Sequence, residues 1–165
     1  MNDTSNIISK VFAYHDGQSW GDYDYSYHLS AVMLINKWIN GSENSHYLAL
    51  MHDLLEDTEA TEADIHDIIP SHASLLLPCL RLLSRNLSQG EMTYQEYINH
   101  VAENGHRDAV TVKLSDAIAN YSLSRHNGST LISRYSKSIP VLWRVVFDEE
   151  PAWWKIDRIA DTLFP

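Results

Sequence analysis

Residues 49–61, ALMHDLLEDTEAT, place four ionisable side chains in a segment that is otherwise rich in leucine and alanine. His52 and Asp53 come first, and Glu56 and Asp57 follow about one helical turn later. The flanking apolar residues favour a helix that lies largely inside the protein, where ionised groups need partners. On one continuous helix these side chains would form a single polar stripe. A divalent cation would bind the carboxylates and offset the cost of burying them.

An amphipathic helix with a solvated acidic side would give the same pattern, but two further segments favour a metal site. His28 opens the preceding predicted helix, and Asp116 lies in the apolar segment VTVKLSDAIAN with Asn120 one turn later. Singly, His28 is typical of a helix start, and Asp116 with Asn120 is typical of a polar pair between helices. Together, two imidazoles and two carboxylates from three helices suit manganese, iron or zinc better than calcium.

The dipeptide His-Asp occurs three times, so it discriminates nothing by itself. His15-Asp16 precedes a glycine and is typical of a helix end, whereas His66-Asp67 lies in a short polar segment and predicts a solvated face. Only His52-Asp53 is surrounded by apolar residues on both sides.

Length and composition predict one globular domain covering residues 1–165. The chain of 165 residues is too short for two well-formed cores, and 44% hydrophobic with 21% charged residues is typical of a folded protein. No apolar run approaches the roughly 20 residues that span a bilayer, and the N-terminal residues lack an export signal, so we expect no membrane association and a cytoplasmic location. Cys79 lies among leucines and predicts a buried, inert thiol.

The charge balance argues against a nucleic acid polymer as partner. Twenty-two acidic and twelve basic residues give a net charge of −10, which repels phosphate chains, and the sequence contains no cluster of lysine or arginine.

Helix signals predominate, and the sequence predicts an all-α bundle of eight or nine helices. Segments 17–27 and 85–92 are expected to be loops, and Pro140 is expected to kink its helix. The predicted helices run from Asp3 or Thr4 to before Gly17, over 27–40 and 43–57, from Thr61 to Pro70, over 75–83, after Thr93, over 107–125 and 130–147, and from Pro151 onward.

These motifs resemble the HD-domain superfamily of metal-dependent phosphohydrolases, whose order of His, His-Asp and Asp is matched by His28, His52-Asp53 and Asp116. MHDLLEDTEAT and VKLSDAIANYS are similar to the HDxxED and KLxDxxxN motifs of the RelA/SpoT hydrolase domain and the small alarmone hydrolases. Those enzymes remove the 3′-pyrophosphate from (p)ppGpp. HDGQ, followed by Tyr25 and His28, resembles the HxGQ and PYxxH motifs. The resemblance covers about residues 7–125.

The resemblance implies an all-helical fold and a small nucleotide as substrate. It further implies one Mn²⁺, with iron, cobalt, nickel or zinc as alternatives, held by His28, His52, Asp53 and Asp116. Glu56 and Asp57 would then orient the attacking water or accept its proton, and Asn120 would contact the ribose of the nucleotide. A metal-activated water is compatible with that donor set.

Departures from the family pattern concern positive charge. The Arg-Lys pair that follows HxGQ in the family is replaced here by Ser19-Trp20. Trp20 could stack on a purine but carries no charge. The basic residue that follows the last metal-binding aspartate in the family is replaced by Ala117. The cations that could compensate are Lys113, Arg81, Arg85 and Arg125.

Several alternatives therefore stay open. The substrate could be another nucleotide, such as a deoxynucleotide or an adenosine alarmone, or the chain could be a non-catalytic nucleotide-binding or antitoxin module. The Glu56-Asp57 pair favours an enzyme, because a binding module needs no water-activating group. Residues 126–165 are expected to close the bundle, with a homodimer seam through Trp153 and Trp154 as the alternative.

Overall fold

A computed structural model describes residues 4–88 and 92–165 of the chain. The described residues form eleven helical segments, two of which have only four residues, and one short hairpin, so the all-α prediction is confirmed. The elements are α1 Thr4–Tyr14, β1 Ser19–Trp20, β2 Tyr23–Asp24, α2 Tyr25–Trp38, α3 Glu43–Met51, α4 Leu54–Asp57, α5 Glu62–Ile68, α6 Ala73–Leu83, α7 Arg85–Ser88, α8 Tyr94–Asn104, α9 Arg107–His126, α10 Ile132–Phe147 and α11 Trp153–Leu163.

Helix α9 lies at the centre of the bundle. Fourteen of its 20 residues are buried, and α2, α3, α10 and α11 all pack against it. A helix that is enclosed on most sides cannot be strongly amphipathic, which explains its largely apolar sequence around Asp116. The fold thus places Asp116 near the middle of the molecule.

The helix starts follow their capping residues. Thr61 and Asp64 form a reciprocal capping box at the start of α5, with aspartate in the position usually taken by glutamate. Thr93 and Glu96 form a second capping box at the start of α8. Both starts were predicted from these residues.

The largest difference from the prediction lies in the segment expected to be one helix over 43–57. The helix stops at Met51, and a separate turn of helix begins at Leu54, so His52 and Asp53 occupy a break between α3 and α4. The single polar stripe on a continuous helix is therefore wrong. A straight helix would direct successive side chains about 100° apart, whereas the break lets both residues face the same point.

Two predicted loops also contain regular structure. In segment 17–27, β1 and β2 form an antiparallel hairpin with Trp20 opposite Tyr23, and α2 already begins at Tyr25. Gly21 makes the tight turn possible because its φ of +62° is unfavourable for other residues. In segment 85–92, residues 85–88 form α7, and 89–91 lie outside the described residues, as does the predicted N-cap Asp3.

The C-terminal helices cover the central helix. α10 continues through Pro140 to Phe147, and the inner face of α11 buries Ile156, Ala160 and Leu163. Trp154 on the opposite face is 66% exposed. Cys79 is buried, and burial raises the pKa of its thiol, as expected for an inert cysteine. Within the described ranges, no helix is both long and apolar enough to cross a bilayer.

Candidate metal centre and its pocket

Four side chains from three regions of the fold meet at one point. His28 projects inward from the buried face of α2, His52 and Asp53 come from the break between α3 and α4, and Asp116 comes from α9. The two Nε2 atoms lie 3.3 Å apart, and His52 Nε2 lies 2.9 Å from Asp53 Oδ2. His28 Nε2 lies 3.4 Å from Asp53 Oδ2 and 3.5 Å from Asp116 Oδ1. All four residues predicted as metal ligands are thus brought together.

These separations fit a single bound ion. Nitrogen and oxygen ligands bind zinc-like ions at about 2.1 Å, which places neighbouring donors about 3.0 to 3.4 Å apart in octahedral and tetrahedral arrangements. His28, His52 and Asp53 each offer one donor atom, and these three atoms lie within 4.8 Å of one another. Asp116 Oδ1 stands slightly further out, 3.8 Å from His52 Nε2. The donor set is chemically suited to a divalent transition metal.

A backbone contact fixes the orientation of the His52 ring. Its Nδ1 lies 2.9 Å from the carbonyl oxygen of Ala49, one turn back in α3. When Nδ1–H donates to that carbonyl, the lone pair of Nε2 points to the centre of the cluster, which is the common arrangement of metal-binding histidines. His28 Nδ1 is buried without a partner among the described residues, so its tautomer is not fixed in this way.

The cluster attracts positive charge. Burial opposes protonation of His52, but Asp53 and Asp116 overcome that effect and raise its pKa to about 10. Burial likewise opposes ionisation of Asp53, yet the two histidines hold the pKa of that carboxyl well below its usual range. Protons and divalent cations therefore compete for the same position.

Lys113 neutralises the outer side of Asp116. Its Nζ lies 2.9 Å from Asp116 Oδ2, and both side chains are buried. Burial alone would lower the pKa of Lys113, but Asp116 raises it well above its ordinary value. The same pairing holds the pKa of Asp116 low despite its burial. Lys113, which was predicted to bind substrate, is thus also a structural partner of Asp116, a predicted metal ligand.

Glu56 and Asp57 lie beside the cluster on α4. Burial and the charge of Asp53 raise the pKa of both carboxyls, and the charge of Asp57 further raises that of Glu56. Glu56 Oε2 accepts a hydrogen bond of 3.1 Å from the backbone N–H of Arg85. A carboxylate with a raised pKa, next to a metal centre, is suited to accept a proton from water.

A layer of polar and aromatic residues supports the cluster. The Tyr25 hydroxyl donates to Asp53 Oδ2 at 2.6 Å, and the His15 ring stacks on Tyr25 with centroids 4.7 Å apart. His15 Nδ1 contacts Gln18 Oε1 at 2.8 Å, and Gln18 Nε2 donates to the carbonyl of Asp57 at 2.6 Å. His15 follows the end of α1, as predicted, but it is also buried behind the site, which the helix-end interpretation did not include.

Trp20 and Asn120 contact each other. The Trp20 indole N–H donates to Asn120 Oδ1 at 2.8 Å, and Asn120 Nδ2 donates to Asp116 Oδ1 at 2.6 Å. Trp20 is only 6% exposed, and its ring lies 4.9 Å from that of His28. Trp20 and Asn120, two of the three residues predicted to bind substrate, line the pocket and contact predicted metal ligands.

A pocket of about 310 Å³ opens over the cluster. Its lining includes Glu56 and Asp57 as well as the cations Arg85, Lys113 and Arg134. Tyr94, Tyr97 and Tyr135 line the same pocket, and the Arg134 guanidinium lies 4.9 Å from the centre of the Tyr94 ring. The pocket therefore contains an acidic, metal-binding side and a basic, aromatic side.

Two of the expected compensating cations lie elsewhere. Arg81 forms an exposed ion pair with Glu62 at 2.5 Å, and Arg125 pairs with Asp157 and Asp161. Ala117 is buried in the core, so this position would not present a basic side chain to solvent without rearrangement. Arg134 was missed because it lies beyond the motif region, and its spacing in α10 carries no signal for a site that α2, α4 and α9 build.

No family model matches the chain, and no curated protein matches it significantly.

Proposed function

We propose that this chain is a metal-dependent phosphohydrolase of the HD type that acts on a nucleotide. The first candidate substrate is (p)ppGpp, from which the enzyme would remove the 3′-pyrophosphate. The convergence of four side chains carries the proposal: the Nε2 atoms of His28 and His52 lie 3.3 Å apart, and each lies within 3.8 Å of a carboxylate oxygen of Asp53 and of Asp116. The order of these residues in the chain, together with HDxxED and KLxDxxxN, supports the HD type by resemblance.

His28, His52, Asp53 and Asp116 would bind the ion. A divalent ion supplies a Lewis acid that lowers the pKa of water and polarises a phosphoryl oxygen. Mn²⁺ is the ion implied by the resemblance, and the mixed nitrogen and oxygen donors are compatible with it.

Glu56 and Asp57 are proposed to take the proton of the attacking water. The raised pKa of each carboxyl supports this role, because a base works best when its pKa approaches the working pH. Water oxygen attacks the phosphorus attached to the ribose 3′ oxygen, and the bond between that phosphorus and the 3′ oxygen breaks. The 3′ oxygen takes up a proton, and pyrophosphate and the 5′ nucleotide are released.

Arg85, Lys113 and Arg134 are proposed to hold the phosphate groups. They supply positive charge in a pocket of a protein whose net charge is −10, and the guanidinium fork suits phosphate oxygens. These cations would compensate for the absence of the Arg-Lys pair at Ser19-Trp20, although they belong to α7, α9 and α10 and not to β1.

A different nucleotide is the second candidate. The hydrogen bond from the Trp20 indole to Asn120 Oδ1 favours it. This bond occupies the Asn120 side chain, which the resemblance assigns to contact with the substrate ribose. A nucleotide that needs neither a cation at position 20 nor the Asn120 amide would bind without breaking this contact.

The test is product analysis with the full chain. Metal-free protein is loaded with Mn²⁺ and incubated with ppGpp, and pyrophosphate and the 5′ nucleotide are quantified against a chelated control. Deoxynucleotides and adenosine alarmones serve as parallel substrates. We expect pyrophosphate release that depends on the ion and is lost in Asp116→Ala.

Two results would contradict the proposal. Binding of one Mn²⁺ and of nucleotide without turnover of any substrate would make the chain a binding module. Turnover that persists in Asp116→Ala and in the chelated protein would show that the metal centre is not the site of the reaction.

A further inference from the structure

A second and larger cleft lies at the other end of α2. Its volume is about 550 Å³, and it is bordered by the C-terminal ends of α2 and α10 and by α11. It shares no lining residue with the pocket over the metal cluster. Ten residues of α2 separate His28 from Trp38, which corresponds to about 15 Å along the helix. The cleft is therefore a separate site.

Aromatic side chains form the walls of this cleft. Trp38 is 42% exposed and Trp154 is 66% exposed, whereas Trp143 is buried and packs against Phe147 with ring centroids 4.5 Å apart. The Trp143 indole N–H is also buried without a hydrogen-bond partner among the described residues. Large exposed indole faces beside an unpaired buried donor suit a planar ligand that carries hydrogen-bond acceptors.

Positive charge lies beside the tryptophans. Lys155 and Arg158 line the cleft, and neither forms an ion pair with a carboxylate within residues 4–88 and 92–165. Lys155 Nζ lies 5.6 Å from the centre of the Trp154 ring. In a chain with 22 acidic and 12 basic residues, two adjacent cations without acidic partners favour an anionic ligand.

Glu149 adds one carboxylate to the lining. A carboxylate accepts hydrogen bonds from ring N–H groups, so it is compatible with a heterocycle but repels a bare phosphate. The combination of stacking faces, cations and one acceptor resembles the general requirements for binding a nucleobase with a phosphate attached.

We propose that this cleft binds a purine nucleoside monophosphate, with the base against Trp38 and Trp154 and the phosphate against Lys155 and Arg158. The cleft volume is in the range of small-ligand sites. This site is independent of the metal centre and needs no turnover.

The test uses the full chain in the presence of a chelator, so that hydrolysis cannot contribute. GMP, guanosine and inorganic phosphate are titrated separately, and binding is followed by calorimetry and tryptophan fluorescence. We expect GMP to bind at least about tenfold more tightly than either fragment. Trp154→Ala and Arg158→Glu should each weaken GMP binding by about tenfold or more.

Three variants are matched controls. Leu75→Ala removes another exposed apolar side chain, and Lys137→Glu reverses another exposed charge. Arg134→Glu disturbs the pocket over the metal cluster. All three should leave GMP binding at the cleft unchanged.

Three outcomes would overturn the proposal. GMP could fail to bind at millimolar concentration. Binding could be lost in Arg134→Glu and retained in Trp154→Ala, which would place the nucleotide only over the metal cluster. Sedimentation could show a dimer that Trp154→Ala dissociates, which would make the cleft an interface between two copies of the chain.

Discussion

The dipeptides His52-Asp53 and His66-Asp67 have the same sequence and opposite surroundings. His52 is 1% exposed and faces His28 and Asp116, which come from other helices. His66 and Asp67 are both exposed on α5, as the sequence predicted. The difference shows that the dipeptide alone does not make a site. Long-range partners and burial turn the first copy into a candidate metal centre.

Replacing the histidine in each dipeptide should give the largest contrast. His52→Ala removes a donor from the centre, and we expect Mn²⁺ affinity to fall by more than about 100-fold, because even outer partners of a ligand cost about 10- to 100-fold. His66→Ala should leave Mn²⁺ affinity unchanged. Calorimetric titration with Mn²⁺ measures both. Equal affinities in the two variants would remove the distinction between the dipeptides.

Glu56→Gln tests the acidic residues next to the first dipeptide. We expect the variant to keep its Mn²⁺ and to lose about 10²- to 10⁴-fold in kcat, which is the usual contribution of a positioned base. Glu59→Gln, an exposed position in the same segment, is the control and should keep full activity. Loss of the ion in Glu56→Gln would instead identify Glu56 as a metal ligand.

The lysines near the two dipeptides should differ in their contribution to stability. Lys113 is buried against Asp116, whereas Lys10 is exposed and contacts the backbone carbonyl of Asp67 at 3.4 Å. Lys113→Met removes the cation that pairs with Oδ2 of the buried Asp116 and should lower the free energy of unfolding of the metal-free protein by about 3–5 kcal/mol. Lys10→Met should change it by less than about 0.5 kcal/mol. Urea unfolding in a chelator measures both values, and similar losses would contradict the buried charge network.

The pH dependence of Mn²⁺ binding tests the same histidine in the unmodified protein. In the metal-free protein the pKa of His52 is raised to about 10, so the ring is protonated at neutral pH and the ion must displace that proton. Rising pH removes the competing proton, and the apparent affinity should increase about tenfold per unit between pH 6 and 9 for each proton released. An affinity that stays constant over this range would contradict the assignment of His52 as a ligand.

The sequence predicted most of the helices and the four residues of the candidate metal centre, because local signals indicate helix starts and burial. Capping residues such as Thr61 and Thr93 define helix starts, and the apolar background of His52 and Asp116 indicated burial. The break between α3 and α4 could not be predicted, because residues 49–57 are favourable for helix throughout. It follows from the contacts that His52 and Asp53 make with other parts of the fold.

The sequence also does not indicate that His15 and Arg134 lie near the site, because their contacts there are made by segments distant in sequence. His15 is adjacent to the site only because α1 and the hairpin return the chain to Tyr25, and Arg134 only because α10 packs against α8 and α9. Neither residue has neighbours in the sequence that indicate these contacts. Long-range packing determines which of the twelve basic residues enter the pocket.

Anomalous diffraction at the manganese edge from crystals soaked in Mn²⁺ tests the central claim most directly. We expect one strong peak within about 2.3 Å of His28 Nε2, His52 Nε2, Asp53 and Asp116, and no peak at His66-Asp67. Its absence at the four donors, or the only peak lying at an exposed carboxylate, would contradict the metal centre on which the proposed function depends.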